Sequence, residues 1–359
     1  MTIPMAGKEK SRSTAPAMFK AAIVGAATLR GKELKQVLEE RNFPAADILL
    51  LDDDESLGQL DSVGEEITFI QAVTRASFDG VDLVFFASDE GFTRKHWKAA
   101  QQAGCAIVDM SRAIAEDAGV LVRSPWLERE LEPQMEKAKA VDLEATLAAV
   151  AHPAATMLAL LLLRAQRTGA VRQSVVTLFH PVSERGKGGM DELHQQTLNL
   201  LSFQPMPKKV FDEQVAFNLV SQYGAEAPVA LQSAEAIVLA DMKQISRSRV
   251  EMPALQVLQP PVFHGHSAAI FLQLDRHVRG EDFTLALQGE HVTITGADEA
   301  PSNVNVAGQE SIQVAVRTDV SQANGLWLWA AADNLKIAAL NAVECASSLM
   351  AARPSGKIQ

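Results

Sequence analysis

Residues 19–25 (FKAAIVG) form a short apolar run that ends in a glycine, and the stretch 30–41 that follows carries Leu34, Val37 and Leu38 at helical spacing. A strand, a glycine turn and a helix in that order constrain what can come next. The same alternation continues through an apolar run at 48–51, ending in Asp52, Asp53 and Asp54. A third run spans 81–87 with a helix-like stretch at 93–103, and a fourth spans 105–109. Strands alternating with helices in this way build a parallel sheet with right-handed crossovers, whose ligand crevice opens at the carboxyl ends of the strands. Residues 19–150 therefore read as a Rossmann-like dinucleotide-binding domain.

A length of 359 residues suits two domains. After Pro153 the pattern changes. One long apolar helix ends near Gly169, strand-like runs follow at 174–182, 261–275, 283–295 and 311–318, and antiparallel α+β describes residues 151–330 best. The expected fold class is α/β, a Rossmann-type NAD(P)-binding domain with an α+β second domain. Residues 1–18 lack the apolar core of a signal peptide and read as a disordered leader.

Composition narrows the partners. A net charge of −11 with no basic cluster excludes nucleic acid. No apolar run reaches the ~20 residues that span a bilayer. Cys105 and Cys345 sit in apolar surroundings without CxxC spacing, so neither a disulfide framework nor a zinc–thiolate site is indicated and a reducing cytoplasm fits.

The glycine turn runs Gly25-Ala26-Ala27-Thr28-Leu29-Arg30-Gly31, where backbone amides and the positive end of a helix can receive a pyrophosphate. Thr28 stands where that spacing has its middle glycine, close to the expected phosphate path. Gly25 and Gly31 are equally consistent with tight strand-to-helix packing alone. The candidate nucleotide contacts are Gly25, Ala27, Thr28, Leu29, Arg30, Gly31, Asp52 and Ser88. A carboxylate at Asp52 would accept from a ribose and repel a 2′-phosphate, so NAD is favoured over NADP, although a solvated acidic loop explains the cluster as well.

Four separated stretches, VGAATLRGKELKQVLEERNFP, AGCAIVDMSRA, PVFHGHSAA and LWLWAAADNLKIAALNAVE, resemble the aspartate-semialdehyde dehydrogenase family in order and spacing. The resemblance implies a first domain completed by a C-terminal helix (331–355). It also implies a dimerisation and catalytic domain of the semialdehyde dehydrogenase type, a homodimer, and an active site between the domains. The implied reaction removes phosphate reductively from an acyl phosphate through a cysteine thioester, with hydride supplied by a nicotinamide cofactor. In family members that cysteine closes an Asn-Pro-Asn-Cys motif. The corresponding residues here are His152-Pro153-Ala154-Ala155, and Ala155 has no nucleophilic atom.

Other matched positions depart as well. The family glutamine corresponds to His180, an arginine expected six residues after Asp109 is Ala115, a lysine is Ile237, an arginine is Gln259, and the family histidine is retained as His266. Losing the nucleophile together with these contacts argues against the family's dehydrogenase reaction. His152, His180, His264 and His266 all fall in segments expected to line the site. Converging imidazoles can hold a divalent metal or act as acid and base, yet satisfied or surface histidines are the common case, and no metal ligand set is assigned. His264 and His266, two apart on an expected strand, would share a face. Residues 184–189 (ERGKGG) read as a flexible basic loop, with Glu184 and Arg185 narrowing the entrance to the site, although a solvated turn explains Arg185 and Lys187 equally. Two expectations follow: a dimeric pseudo-enzyme retaining a dinucleotide site, or an oxidoreductase or lyase using His266 or His180 on another small carbonyl or carboxylate compound.

Overall fold

In β1 (Phe19–Val24) the last four residues are fully buried because parallel neighbours flank the strand on both sides. The computed structural model describes residues 19–53, 55–63, 66–132, 146–296 and 299–352. The expected leader, Asp54 and residues 353–355 of the expected last helix lie outside them. The chain continues through α1 (Leu29–Glu40), β2 (Ala45–Asp52), the hairpin of β3 (Leu60–Val63) and β4 (Glu66–Phe69), and β5 (Gln71–Ala72). Next come β6 (Leu83–Phe86), α2 (Glu90–Gln102), β7 (Ala106–Asp109), β8 (Leu121–Arg123), α3 (Pro125–Leu131) and β9 (Leu147–Val150). Seven of these strands form one sheet in the order β5-β2-β1-β6-β7-β9-β8, and every pair in it is parallel. The reversal of strand order beside β1 places the crevice next to the glycine turn.

Local chemistry sets the helix starts. Thr28 caps α1 by accepting from the Gly31 amide at 3.0 Å, and Asp89 caps α2 by accepting from Phe92 at 2.9 Å. Leu34, Val37 and Leu38 then form the buried stripe of α1.

The second unit begins with α4 (Pro153–Ala165), whose thirteen residues are all buried. Proline suits its first position, where the missing amide hydrogen costs nothing. The unit continues with β10 (Val171–Phe179), α5 (Gly186–Leu201), α6 (Gln232–Ile245), β11 (Ala254–Leu258), β12 (His266–Leu274), α7 (Gly280–Leu287), β13 (Val292–Ile294), β14 (Ile312–Thr318) and β15 (Gly325–Ala332). Its six-stranded sheet runs β11-β10-β12-β15-β14-β13. The central pairs are antiparallel as expected, but the edge pairs β10–β11 and β13–β14 are parallel, so the sheet is mixed. The helices α5 and α6 supply the crossover that a parallel pair needs between β10 and β11.

Three local expectations are corrected. The strand-like run 283–295 contains the helix α7, which buries Phe283 and Leu287 at i and i+4, before Gly289 turns the chain into β13. The glycines of ERGKGG open the helix α5; a Cβ on Gly189 would lie 2.5 Å from the Val182 carbonyl oxygen, so that glycine serves packing, not mobility. The run 261–275 becomes strand only from His266, because Gly265 takes φ +84° and leaves His264 outside β12.

The last helix, α8 (Asn334–Ala352), leaves the second sheet and packs back on α1, β7 and β9 of the first unit. Lys336, almost wholly buried, reaches Glu40 at 2.5 Å and Glu33 at 3.3 Å across that contact.

Candidate active site

The N-terminus of α4, the turn after β10, the first residue of β12 and the first residue of α8 meet at one point between the two units. His152 is the N-cap of α4, and its Nδ1 accepts from the Ala154 amide at 3.2 Å. Ala155 follows in the first turn, completely buried. His180 stands just beyond β10, its amide donating to Leu258. His266 opens β12 opposite Ala332. The three imidazole centroids lie 5.4–6.0 Å apart, and His266 Nε2 is 3.4 Å from His180 Nδ1. Three of the four expected histidines thus converge. His264 is half-buried and does not join them, because the positive-φ glycine between it and His266 breaks the strand alternation that would have put both on one face.

Glu184 enters this cluster from a short 3₁₀ turn (Val182–Arg185). Its carboxylate lies 3.7 Å from His266 Nε2 and 3.8 Å from both His152 Nε2 and the Arg30 guanidinium. Instead of narrowing an entrance, Glu184 is buried inside the site. Asn334 Nδ2 donates to it at 2.8 Å, while Asn334 Oδ1 accepts from Gly265 at 3.0 Å. Arg185 packs over the Tyr223 ring, 5.5 Å from its centroid. Gln259, where an arginine was sought, is fully buried and fully occupied: it donates to the His180 and Pro260 carbonyls at 2.6 and 2.9 Å and accepts from the Tyr223 hydroxyl at 2.7 Å.

Two arginines line the cleft despite Ala115 and Ile237, each facing a carboxylate. Arg112, three residues after Asp109, lines it beside Arg30, Ser111 and His152, and pairs with Asp241. Asp241 lies one helical turn beyond Ile237, is completely buried, and accepts from the His152 amide at 2.7 Å. Asn334, Asp241 and Arg112 were missed because their partners come from distant segments. Two of the matched stretches carried a signal: ADNLKIAALNAVE, which begins one residue before Asp333, contains Asn334, and AGCAIVDMSRA contains Arg112.

Burial pushes the His152 and His180 imidazoles well below their ordinary range. For His152 the neighbouring His266, Arg112, Arg30 and Arg185 add to the effect, whereas Glu184 opposes it at His180. Burial also lowers His266, with Glu184 and Asp333 opposing. Burial alone would raise the Glu184 carboxyl, but His266, His180, Arg30 and the Asn334 hydrogen bond hold it below the usual carboxylate range. The lowered values leave the three rings neutral and Glu184 ionised near pH 7.

At the glycine turn, a Cβ on Gly25 would sit 2.5 Å from the Ser88 amide nitrogen, and one on Gly31 would sit 2.1 Å from the Gly25 carbonyl oxygen. Tight packing alone demands both glycines. Thr28 Oγ1 lies 2.8 Å from the Gly25 carbonyl oxygen and 3.0 Å from that of Ala87, so its hydroxyl is committed inside the turn. Leu29 and Arg30 open α1, where amides have no acceptor within the helix. Asp52 Oδ2 accepts from Ala27 at 2.7 Å, and the buried Ser88 hydroxyl pairs with Thr93 at 2.9 Å. Neither cysteine lies among the cleft residues: both are buried, and burial pushes the Cys345 thiol up to about 12.

A parallel sheet with its glycine turn, a mixed-sheet second unit and a polar cleft between them define a two-domain α/β protein of the dinucleotide-binding type. Residues 20–134 match the family described as semialdehyde dehydrogenase, NAD binding domain, and residues 160–337 match semialdehyde dehydrogenase, dimerisation domain. The USG-1 protein homolog of Azotobacter vinelandii is 33% identical over 92% of this chain and 97% of its own. The aspartate-semialdehyde dehydrogenase of Rickettsia conorii is 29% identical over 92% and 98%. Among solved structures, a probable aspartate-semialdehyde dehydrogenase from Pseudomonas aeruginosa superposes with a TM-score of 0.80 at 29% identity, covering 93% of this chain and 99% of that one. The chain belongs to the semialdehyde dehydrogenase family.

Proposed function

We propose that this protein is a dinucleotide-binding, homodimeric member of the family that does not carry out cysteine-dependent aldehyde chemistry. The observation that carries this reading is Ala155, buried in the first turn of α4 while both thiols are buried elsewhere. A thioester route needs one atom that attacks as a thiolate and leaves as one. The turn residues fit a dinucleotide: the open amides at the start of α1 suit a pyrophosphate, and Asp52 at the end of β2 suits an unphosphorylated ribose, which favours NAD. When bound, the nicotinamide would supply hydride-transfer chemistry; Arg30 and Arg112 line the adjoining cleft.

Thermal-shift titration of the purified protein with NAD, NADH, NADP and NADPH tests the binding half. Ligand at 100 times its Kd stabilises the native state by about 2.7 kcal/mol. We expect a rise with NAD or NADH and a smaller one with the phosphorylated pair. Incubation with aspartate semialdehyde, phosphate and each oxidised cofactor tests the other half, and sustained phosphate-dependent nucleotide reduction would sink the proposal.

A second reading is favoured by one observation, the contact between the neutral His266 and His180 rings. In that reading the pair serves as acid and base on another small carbonyl compound. It requires a pH-dependent rate that disappears in His266→Ala.

A further inference from the structure

We propose that His152, His180 and His266, together with the Glu184 carboxylate, form a binding site for one divalent transition-metal ion of the zinc type. The argument begins with spacing. One nitrogen from each of the three rings lies within 4.8 Å of the other two. Glu184 Oε1 lies 3.7 Å from His266 Nε2 and Glu184 Oε2 lies 3.8 Å from His152 Nε2, beyond hydrogen-bond range, so the carboxylate confronts both imidazoles without bonding to either. Zinc held at 2.0–2.1 Å by four nitrogen or oxygen ligands in a tetrahedron separates those ligands by about 3.4 Å. His266 and His180 already stand at 3.4 Å, while the His152 ring, within 4.8 Å of both, and one Glu184 oxygen have to move inward to complete the tetrahedron.

The supporting shell is built as well. Asn334 fixes one oxygen of Glu184, Gln259 Nε2 holds the His180 carbonyl, and Asp241 accepts from the His152 amide. Buried hydrogen bonds of this kind orient ligands before an ion arrives. Three imidazoles and one carboxylate, with no thiolate, suit zinc, nickel, copper or cobalt better than magnesium or calcium.

His152 is the weakest ligand on this assignment. Its Nδ1 accepts from Ala154, so the neutral ring carries its proton on Nε2. Ligation through Nε2 moves that proton to Nδ1 and releases the Ala154 amide. Arg30, 3.8 Å from the same carboxylate, competes with the ion for Glu184.

The test uses untagged full-length protein, stripped with a chelator and titrated without nucleotide, so that its outcome is independent of dinucleotide binding. Isothermal titration with zinc should give one equivalent per chain, and cobalt(II) should develop the visible ligand-field bands of a four-coordinate site. His180→Gln and His266→Asn should each weaken binding by at least ~100-fold, the upper range for loss of a supporting group alone. His152→Ala should weaken it less. Circular dichroism and the melting midpoint in chelator identify any variant that fails to fold. Glu184→Gln, which keeps the side chain's size, then stands in for it and should also weaken binding. The proposal is overturned if the wild-type protein takes up neither ion, or if folded His180→Gln and Glu184→Gln bind as tightly as wild type.

Discussion

Gly31 shows how one atom decides a turn. A methyl group there would press on the Gly25 carbonyl oxygen at 2.1 Å and on the Ala26 backbone, with no flexible side chain to yield. Gly31→Ala should cost about 2–3 kcal/mol, the upper part of the range for overpacking, measurable by urea unfolding without any nucleotide. The glycine spacing is thus obligatory for the fold whether or not a dinucleotide binds, and for that reason the sequence left its function open. The buried histidines make a second residue-scale prediction. His152, His180 and His266 have folded values below their ordinary 6.5, so the unfolded chain binds protons first on acidification. Their contribution is fully present above pH 6.5 and is lost as pH falls from there toward the lowered folded values. Glu184, also lowered, contributes above its ordinary 4.5 and loses that below it, which extends the decline. The urea midpoint in chelator should therefore fall between pH 7.5 and 5.5, with a shallower slope in His180→Gln; identical wild-type midpoints at both values would refute it.

Among the elements, β1, β2, β6 and β7 with α1 and α2 were legible because an apolar run closed by glycine or aspartate and followed by 3.6-residue periodicity has one reading in a parallel sheet, whereas the short β3, β4, β5, β8, α3 and β9 gave no such pattern. The second unit was read less well where short elements share both periods. Phe283 and Leu287 fit either a strand or one helical face until Gly289 is seen to end the helix. The site was legible as segments: His152, His180 and His266 converge, as do the glycine turn and Asp52. It was illegible wherever partnership depends on docking, as for Asn334 on Glu184, Asp241 on Arg112 and Tyr223 on Gln259. Lys336 makes the testable case of such docking. Its amine is the cation between α8 and two glutamates of α1, and burial raises the Glu33 carboxyl even beside it. Removing one partner of a buried pair strands the other, so Lys336→Ala should cost about 2–3 kcal/mol, a value discounted because Glu40 is partly exposed. Lys336→Met, which preserves packing, should cost less; equal losses in chemical denaturation would show that packing dominates.

For the whole molecule, the family's dimerisation domain leads to one expectation: light scattering after gel filtration should give about twice 38.7 kDa, and a monomer across micromolar concentrations would contradict it. No helix among the described residues is long and apolar enough to cross a membrane. The path of the chain has a further consequence. Residues of α1, β7 and β9 emerge early in synthesis, yet the helix that covers them, α8, comes from the far end of the sequence. On a translating ribosome the first sheet is therefore complete in strands but bare on one flank while the entire second unit is being made. Its closure waits until residues 334–352 have been made. A message truncated before residue 334 would deliver a protein with an intact glycine turn and an open, sticky side, a ready substrate for chaperones and proteases.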